Sequence, residues 1–240
     1  MPYRKQQFVN GEIYHVVLRG IDDNLIFKNI DDYYRGIFSI YEFNTTNPIT
    51  IRERRKARAR LKRANRDNRD PVSVTDPRDK IVEVLAFCLM PNHIHLLLKQ
   101  LKEEGITKFM LKLGAGYGGY FNRKYSRKGH VFQDRFSAVH IKDDEQLKTV
   151  FVYIHANPIS CVEPGWKEKG IKEPKKVIKF LENYKWSSYL DYIGKKNFPS
   201  VTERKFISEI MGGEEGCRKF VEEWVKYKGE IKKFIHLSLE

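Results

Sequence analysis

Residues 80–99, KIVEVLAFCLMPNHIHLLLK, predict a buried β-hairpin. Two runs of strand-forming residues flank a Met-Pro-Asn turn, which is the pattern of antiparallel neighbours. Because alternate residues of a strand point to opposite faces, His93 and His95 share one face while Ile94 points to the other. The hairpin therefore anchors a sheet and places two imidazoles side by side on it.

The remaining periodicities predict a core of order β-α-β-β-α-β-α. With antiparallel pairing this order predicts an α+β fold, a ferredoxin-like antiparallel sheet with helices on one face. After the core, residues 161–240 predict a mostly helical C-terminal extension. Outside the hairpin, the predicted core elements are a strand at 12–19, helices at 31–43, 103–125 and 143–157, and an extended segment within 127–141.

A basic excursion interrupts this core. Residues 52–69, RERRKARARLKRANRDNR, are dominated by Lys and Arg and contain almost nothing apolar, so they cannot bury a face. We interpret residues 1–160 as one domain with a basic insertion at about 50–78, followed by the extension at 161–240. Two interpretations of this insertion remain open. It either binds the stem of a DNA hairpin or binds nucleic acid nonspecifically.

The composition points to a polyanionic partner. The chain has 45 Lys and Arg against 31 Asp and Glu, a net charge of +14, and 13% aromatic residues. This balance favours nucleic acid as the partner. No apolar run reaches the ~20 residues that span a bilayer, and the polar N-terminus lacks a signal-peptide pattern, so we expect an intracellular protein without membrane contact. The three widely spaced cysteines predict neither a disulfide framework nor a CxxC metal site.

Two pairs of residues are candidates for chemistry. Imidazoles on one strand face, such as His93 and His95, can chelate a divalent metal, although two partly buried structural histidines fit the spacing equally well. Tyr153 and Asn157 lie four apart on the predicted helix 143–157 and therefore share a face. A phenol can act as a nucleophile and an amide oxygen can bind Mg²⁺ or Mn²⁺. In isolation, the same two residues also fit a tyrosine packed on the sheet and a helix-ending asparagine.

Four motifs in order resemble the HUH single-strand DNA transposases, and within them the REP-associated tyrosine transposases. HUH denotes His-hydrophobe-His, here His93-Ile94-His95. The resemblance covers about residues 3–159, with WSSYLDYIG at 186–194 as a weaker tail. The four motifs are YHVVLRG at 14–20, MPNHIHLLLK at 90–99, GYFNRKYSRKGHVFQDRF at 119–136 and YIHANP at 153–158.

This resemblance implies a function for the residues that match. His93, His95 and Asn157 become ligands of Mg²⁺ or Mn²⁺, and Tyr153 becomes the nucleophile. The implied reaction is a transesterification of single-stranded DNA beside imperfect REP hairpins, through a 5′-phosphotyrosine intermediate. It further implies a monomer rather than a dimer, acting in the prokaryotic cytoplasm or nucleoid. We expect no nucleotide cofactor, because the glycines at 114–119 do not match a phosphate-binding loop.

Basic residues interleaved with aromatic ones predict contact with DNA, since cations hold phosphates and rings stack on unpaired bases. By the resemblance, the N-terminal Tyr3, Arg4 and Lys5 occupy the region that reads a short sequence beside the hairpin. The remaining candidates are Arg123, Lys124, Arg127, Lys128 and Arg135.

Several alternatives remain open at this point. A noncatalytic hairpin-DNA-binding protein of the same fold and a metal-dependent nuclease that uses water would share many of these residues. A third alternative is an RNA-binding module of ferredoxin-like fold, but the sequence lacks the paired sheet aromatics expected for base stacking. Tyr117, Tyr120 and Tyr125 compete with Tyr153 as nucleophiles, whereas His15 and His130 are interpreted as strand and turn histidines rather than ligands.

Overall fold

Four antiparallel strands form one sheet in the computed structural model, which describes residues 7–48, 56, 59 and 78–226. The spatial order β2-β3-β1-β4 is the ferredoxin-like order, and the predicted succession of core elements is confirmed. A two-residue turn at Pro91 and Asn92 joins the hairpin strands, one residue shorter than expected. The strands are β1 (Ile13–Arg19), β2 (Val82–Met90), β3 (His93–Gln100) and β4 (Ser137–Ile141).

Within the described residues, three helices complete the core and five more follow in the extension. Asn29 caps the first core helix, where its side chain and that of Asp32 form a reciprocal capping box. Asp143 caps the third, accepting a hydrogen bond from the backbone of Gln146. The core helices are α1 (Ile30–Glu42), α2 (Gly105–Lys124) and α3 (Asp144–Ala156); the others are α4 (Trp166–Lys169), α5 (Pro174–Leu181), α6 (Tyr189–Tyr192), α7 (Lys205–Met211) and α8 (Gly213–Lys226).

Helices cover both faces of the sheet rather than one. Ile94, Leu96 and Leu98 pack with α1 and α2, as a ferredoxin-like fold predicts. Leu97, on the opposite face, packs with α3 and the helices of the extension. Because both faces of β3 are buried, its sequence is an almost continuous apolar run instead of a clean alternation. A run of this kind shows that the strand is central, but not which elements cover it.

The extension also covers the free edge of the sheet. The backbone N–H of Leu89 donates to Trp186 O at 2.8 Å, and the N–H of Ser188 donates to Phe87 O at 3.0 Å. These bonds pair the edge strand β2 with the segment at 186–188, which belongs to the weaker tail motif. An unpaired edge would present a row of backbone donors and acceptors to other chains. Residues 161–226 are thus largely helical, as predicted, and are integrated with the core.

The predicted basic run at 52–69 lies almost wholly outside the described residues, and its proposed role stays a prediction. Within the described ranges, no helix combines the length and the apolar character needed to cross a bilayer.

One of the glycines in α2 permits a close helix contact. A Cβ built on Gly116 would lie 2.1 Å from Cζ of Phe43, a ring that follows α1 and is only 6% exposed. A Cβ on Gly119, in the same helix, would meet nothing within 4 Å. The close contact at Gly116 is therefore with an aromatic side chain and not with a backbone.

We therefore expect opposite effects from two chemically identical substitutions. Gly119→Ala gains helix propensity and should stabilise the protein by up to about 1 kcal/mol. Gly116→Ala gains the same propensity but overpacks the buried Phe43 ring, so it should destabilise by about 1–3 kcal/mol. Urea unfolding of both variants and the wild type measures this; equal stabilisation by both substitutions would contradict the packing argument.

Candidate active site

The antiparallel register of β1 and β3 gathers four basic side chains on one sheet face. Arg19 lies directly across from His93, and Val17 lies across from His95. Because β1 alternates as well, His15 and Arg19 share the face of the two predicted ligands. This face is covered by α3, the helix predicted to carry the nucleophile.

His95 is the most deeply placed of these side chains. It is 1% exposed, and its Nδ1 lies 3.0 Å from Nε2 of His15, which is equally buried. Its other ring nitrogen, Nε2, is buried and has no hydrogen-bond partner among the described residues. A buried polar atom without a partner is rare and calls for an explanation such as an ion.

His93 is partly exposed at the start of β3. Its Nδ1 lies 2.6 Å from Oδ1 of Asn92, and its ring meets the ring of His95 edge-on with centroids 4.8 Å apart. In both predicted ligands, Nδ1 is therefore within hydrogen-bond distance of another side chain, that of His15 or that of Asn92.

Burial keeps these imidazoles neutral. It lowers the pKa of His15 to about 3, and together with the charges of Arg19 and Lys167 it lowers the pKa of His93 to about 3. The pKa of His95 is also well below its usual value, first because of burial and then because of the neighbouring basic groups. Neutral imidazole is the form that binds a metal, so protons do not compete with the ion at neutral pH.

The structure brings Tyr153 to this cluster. Its ring forms T-shaped contacts with the rings of His95 and His15, with centroid separations of 5.7 and 5.8 Å. Nζ of Lys167 lies 3.4 Å from the Tyr153 hydroxyl and 5.4 Å from its ring centroid. Lys167 belongs to α4 of the extension, a region to which the sequence reading gave no role.

Asn157 follows α3 at the start of a short 3-10 turn (Asn157–Cys161). It is buried, and its Nδ2 donates to the backbone carbonyl of Tyr153 at 3.0 Å. The amide oxygen, the atom that a metal would need, takes no part in this bond. Among residues 7–48 and 78–226, no group of three or more His, Cys, Asp or Glu side chains is arranged to hold a metal ion. A site here therefore requires the amide oxygen or the substrate beside the two histidines.

The competing tyrosines have other partners on the opposite side of the sheet. Tyr117 donates to the carbonyl of Ile26, and the hydroxyls of Tyr120 and Tyr125 bind the carboxylate of Asp32. All three lie within or against the core formed with α1 and α2. None is among the ring neighbours of His93 and His95, so Tyr153 is the tyrosine placed beside the histidines.

The predicted DNA-binding residues differ in their surroundings. Arg123, Lys128 and Arg135 are exposed, and the guanidinium of Arg127 lies 5.6 Å from the centroid of the Phe121 ring. The loop before Arg135 is held against the end of β1, because the N–H of Gln133 donates to the backbone carbonyl of Arg19. Tyr3, Arg4 and Lys5 lie outside the described residues.

Lys124 forms an ion pair within the fold. Its Nζ lies 2.7 Å from Oδ1 of Asp32, a carboxylate with no exposed surface. Burial of Asp32 opposes ionisation, but hydrogen bonds from Lys124 and Tyr125 outweigh it and lower the carboxyl pKa. The charge of Lys124 is therefore partly neutralised, and its role in DNA binding stays a prediction.

Three site residues were missed or set aside by the sequence reading. Arg19 and His15 are found by extending the alternation of β1, provided that β1 is known to pair with β3. Lys167 has no sequence pattern that would single it out. His155, on the same helix as Tyr153, lies in the core with its Nε2 2.8 Å from Oγ of Ser188.

Comparison with known proteins connects this site to a family. No curated protein matches the chain. Among solved structures, a REP-associated tyrosine transposase bound to a REP hairpin matches with a TM-score of 0.39 and 14% identity, over 85% of this chain and 96% of that one. Residues 72–157 match the family described as IS200-like transposase. The segment that carries His93, His95 and Tyr153 is therefore similar in sequence to the IS200-like transposases.

Proposed function

We propose that the chain cuts and rejoins single-stranded DNA beside imperfect hairpins through a covalent bond to Tyr153. The observation that carries this proposal is the position of the Tyr153 ring against His95, with its hydroxyl 3.4 Å from the Lys167 ammonium. Within the family, the motifs quoted above favour the REP-associated branch. The proposed substrate is DNA, so we expect the chain to act in the prokaryotic cytoplasm or nucleoid.

His93, His95 and Asn157 are the proposed ligands of Mg²⁺ or Mn²⁺. The unpartnered, buried Nε2 of His95 fits such a ligand, and two nitrogens with one amide oxygen leave coordination positions open for the substrate. When bound, the ion would polarise the scissile phosphate and steady the leaving oxygen.

In the proposed reaction the Tyr153 hydroxyl attacks the scissile phosphorus. The phenol loses its proton, the new O–P bond forms, and the bond from phosphorus to the 3′ oxygen breaks. The 3′ oxygen takes up a proton and leaves as a 3′-OH, while the 5′ phosphate stays on Tyr153. Attack by another 3′-OH reverses these steps and rejoins DNA without ATP, because the phosphotyrosine keeps the bond energy.

Lys167 and Arg19 supply positive charge where negative charge collects. The Lys167 ammonium lies next to the attacking oxygen, and Arg19 lies across from His93. Fixed cations stabilise a transition state that carries phosphate charge. Tyr153 lies against His95 of its own chain, which supports action as a monomer.

Loss of the nucleophile should remove the adduct. With single-stranded oligonucleotides from DNA flanking its own gene and Mn²⁺, we expect wild type to give a protein–DNA adduct on denaturing gels, and Tyr153→Phe to give none. Tyr120→Phe is the matched control, since it removes a phenol that serves Asp32, and it should keep the adduct. Nicked DNA without any adduct would indicate hydrolysis by water, and tight binding without cleavage would indicate a DNA-binding role.

Comparing Asn157→Ala with a control substitution shows whether Asn157 binds the metal or only caps the end of α3. Asn183 makes the same side-chain bond to the carbonyl four residues before it, that of Lys179, so Asn183→Ala removes an equivalent hydrogen bond away from the site. We expect Asn157→Ala to weaken Mn²⁺ binding at least about 10-fold, and Asn183→Ala to leave it unchanged. Calorimetric titration measures both; equal Mn²⁺ affinity in the two variants would remove Asn157 from the ligand set.

Lys167→Met should slow adduct formation by roughly 10–100-fold, because it removes a cation next to the attacking oxygen. Lys167→Arg keeps the charge and should recover part of the rate. Lys176→Met makes the same charge change at an exposed position of the extension and should react as wild type does. Rates follow from single-turnover time courses. A Lys167→Met protein with the wild-type rate would exclude a catalytic role for this lysine.

A further inference from the structure

His15 is a buried histidine that the proposed reaction does not yet use. It is 1% exposed, and it comes from β1, whereas the ligand that it touches comes from β3, eighty residues later in the chain. Buried histidines usually satisfy their ring nitrogens with backbone or solvent groups. Here the partner of Nε2 is the Nδ1 of His95, at 3.0 Å.

A hydrogen bond between two neutral imidazoles constrains both rings. Each neutral ring has one N–H donor and one bare nitrogen, so one of the two facing nitrogens must carry the proton and the other must accept it. If His95 carries its proton on Nδ1, its Nε2 is bare and His15 accepts with Nε2. If His15 carries its proton on Nε2, the bare nitrogen of His95 is Nδ1, and its Nε2–H is buried without an acceptor among the described residues.

Either arrangement leaves the buried Nε2 of His95 without a partner in the metal-free site, but the second arrangement cannot be relieved by a metal ion, because its Nε2 carries a proton. It would also block the only nitrogen of His95 that is not already engaged. The first arrangement leaves a bare, buried nitrogen, which is the form that a metal binds. The same choice applies at the other predicted ligand, where Oδ1 of Asn92 lies 2.6 Å from Nδ1 of His93 and accepts a hydrogen bond from it.

We propose that His15 is a positioning residue, whose Nε2 accepts a hydrogen bond from the Nδ1–H of His95 and so leaves Nε2 of His95 bare as the atom that would bind the metal. This inference rests on the proposed function and deepens it. His15 touches neither DNA nor the ion and acts through His95. Partners of this kind orient metal-binding imidazoles and raise their basicity, and their loss typically weakens metal binding about 10–100-fold.

The register explains why β1 supplies the partner. Val17 lies directly across from His95, and His15 lies across from Leu97, so the two histidines are diagonal neighbours on one face. Diagonal pairs on a sheet are within reach of long or ring-shaped side chains. The Tyr153 ring closes the same space, since it lies against both histidines. His15 therefore holds the His95 ring from the buried end of the histidine cluster.

The test combines metal binding with a direct observation of the proton. In metal-free protein labelled with ¹⁵N-histidine, we expect the long-range proton–nitrogen NMR spectrum to show His95 protonated at Nδ1 and His15 protonated at Nδ1. For Mn²⁺ affinity by calorimetry, we expect His15→Ala to bind about 10–100-fold more weakly than wild type. His15→Gln places an amide oxygen where Nε2 was and should bind nearly as wild type does. His15→Asn is too short to reach His95 and should behave as His15→Ala.

Outcomes distinguish this inference from the proposed function. Mn²⁺ affinity that His95→Ala abolishes but His15→Ala leaves intact would overturn the role of His15 alone. A His95 spectrum with the proton on Nε2, or a His15→Gln protein that binds as poorly as His15→Ala, would do the same. Wild-type protein that binds no Mn²⁺, either alone or with a single-stranded oligonucleotide, would overturn both proposals. Thermal unfolding of each variant, with His155→Gln as a second buried-histidine substitution, separates lost affinity from lost folding.

Discussion

The site depends on the register of β3 between β1 and β2. Because both faces of β3 are buried, a one-residue slip would exchange His93 and His95 for the leucines and isoleucine that now fill the core with α1 and α2. The apolar residues therefore hold the histidines in place. The same burial removes water from the imidazoles, and this keeps them neutral. Packing thus sets the strand register and the neutral state of the imidazoles, on which the contacts within the site depend.

The extension belongs to the site as much as to the fold. It pairs with the free edge of β2, covers the face of the sheet that carries the histidines, and contributes Lys167. Helix α3 lies between the sheet and this layer, so the position of Tyr153 is determined from both sides. His155 illustrates the arrangement, because its hydrogen bond to Ser188 ties the tyrosine helix to the segment that covers the sheet edge.

Much of the fold follows from the sequence because its signals are local. The hairpin follows from a turn between two strand-like runs, and α1 begins where Asn29 and Asp32 form a capping box. What covers the second face of the sheet is not local, since a buried run looks the same whichever element packs on it. The pairing of Lys124 with Asp32, across 92 residues, was equally hidden. His15 was not predicted as a site residue for the same reason, because its proximity to His95 depends on which strands are neighbours.

The charges around the histidines fit an open site for phosphate better than a closed metal site. The charges of two basic residues, Arg19 and Lys167, help to lower the pKa values of His93 and His95. A structural metal site normally surrounds its ion with four protein ligands, often anionic. Two neutral imidazoles and an amide supply less charge, and the two cations repel a bare divalent ion. A phosphodiester would reverse this balance, because its negative charge is attracted both to the cations and to the metal ion proposed at His93 and His95. In the proposed reaction, this arrangement favours binding of DNA and metal together over binding of either one alone.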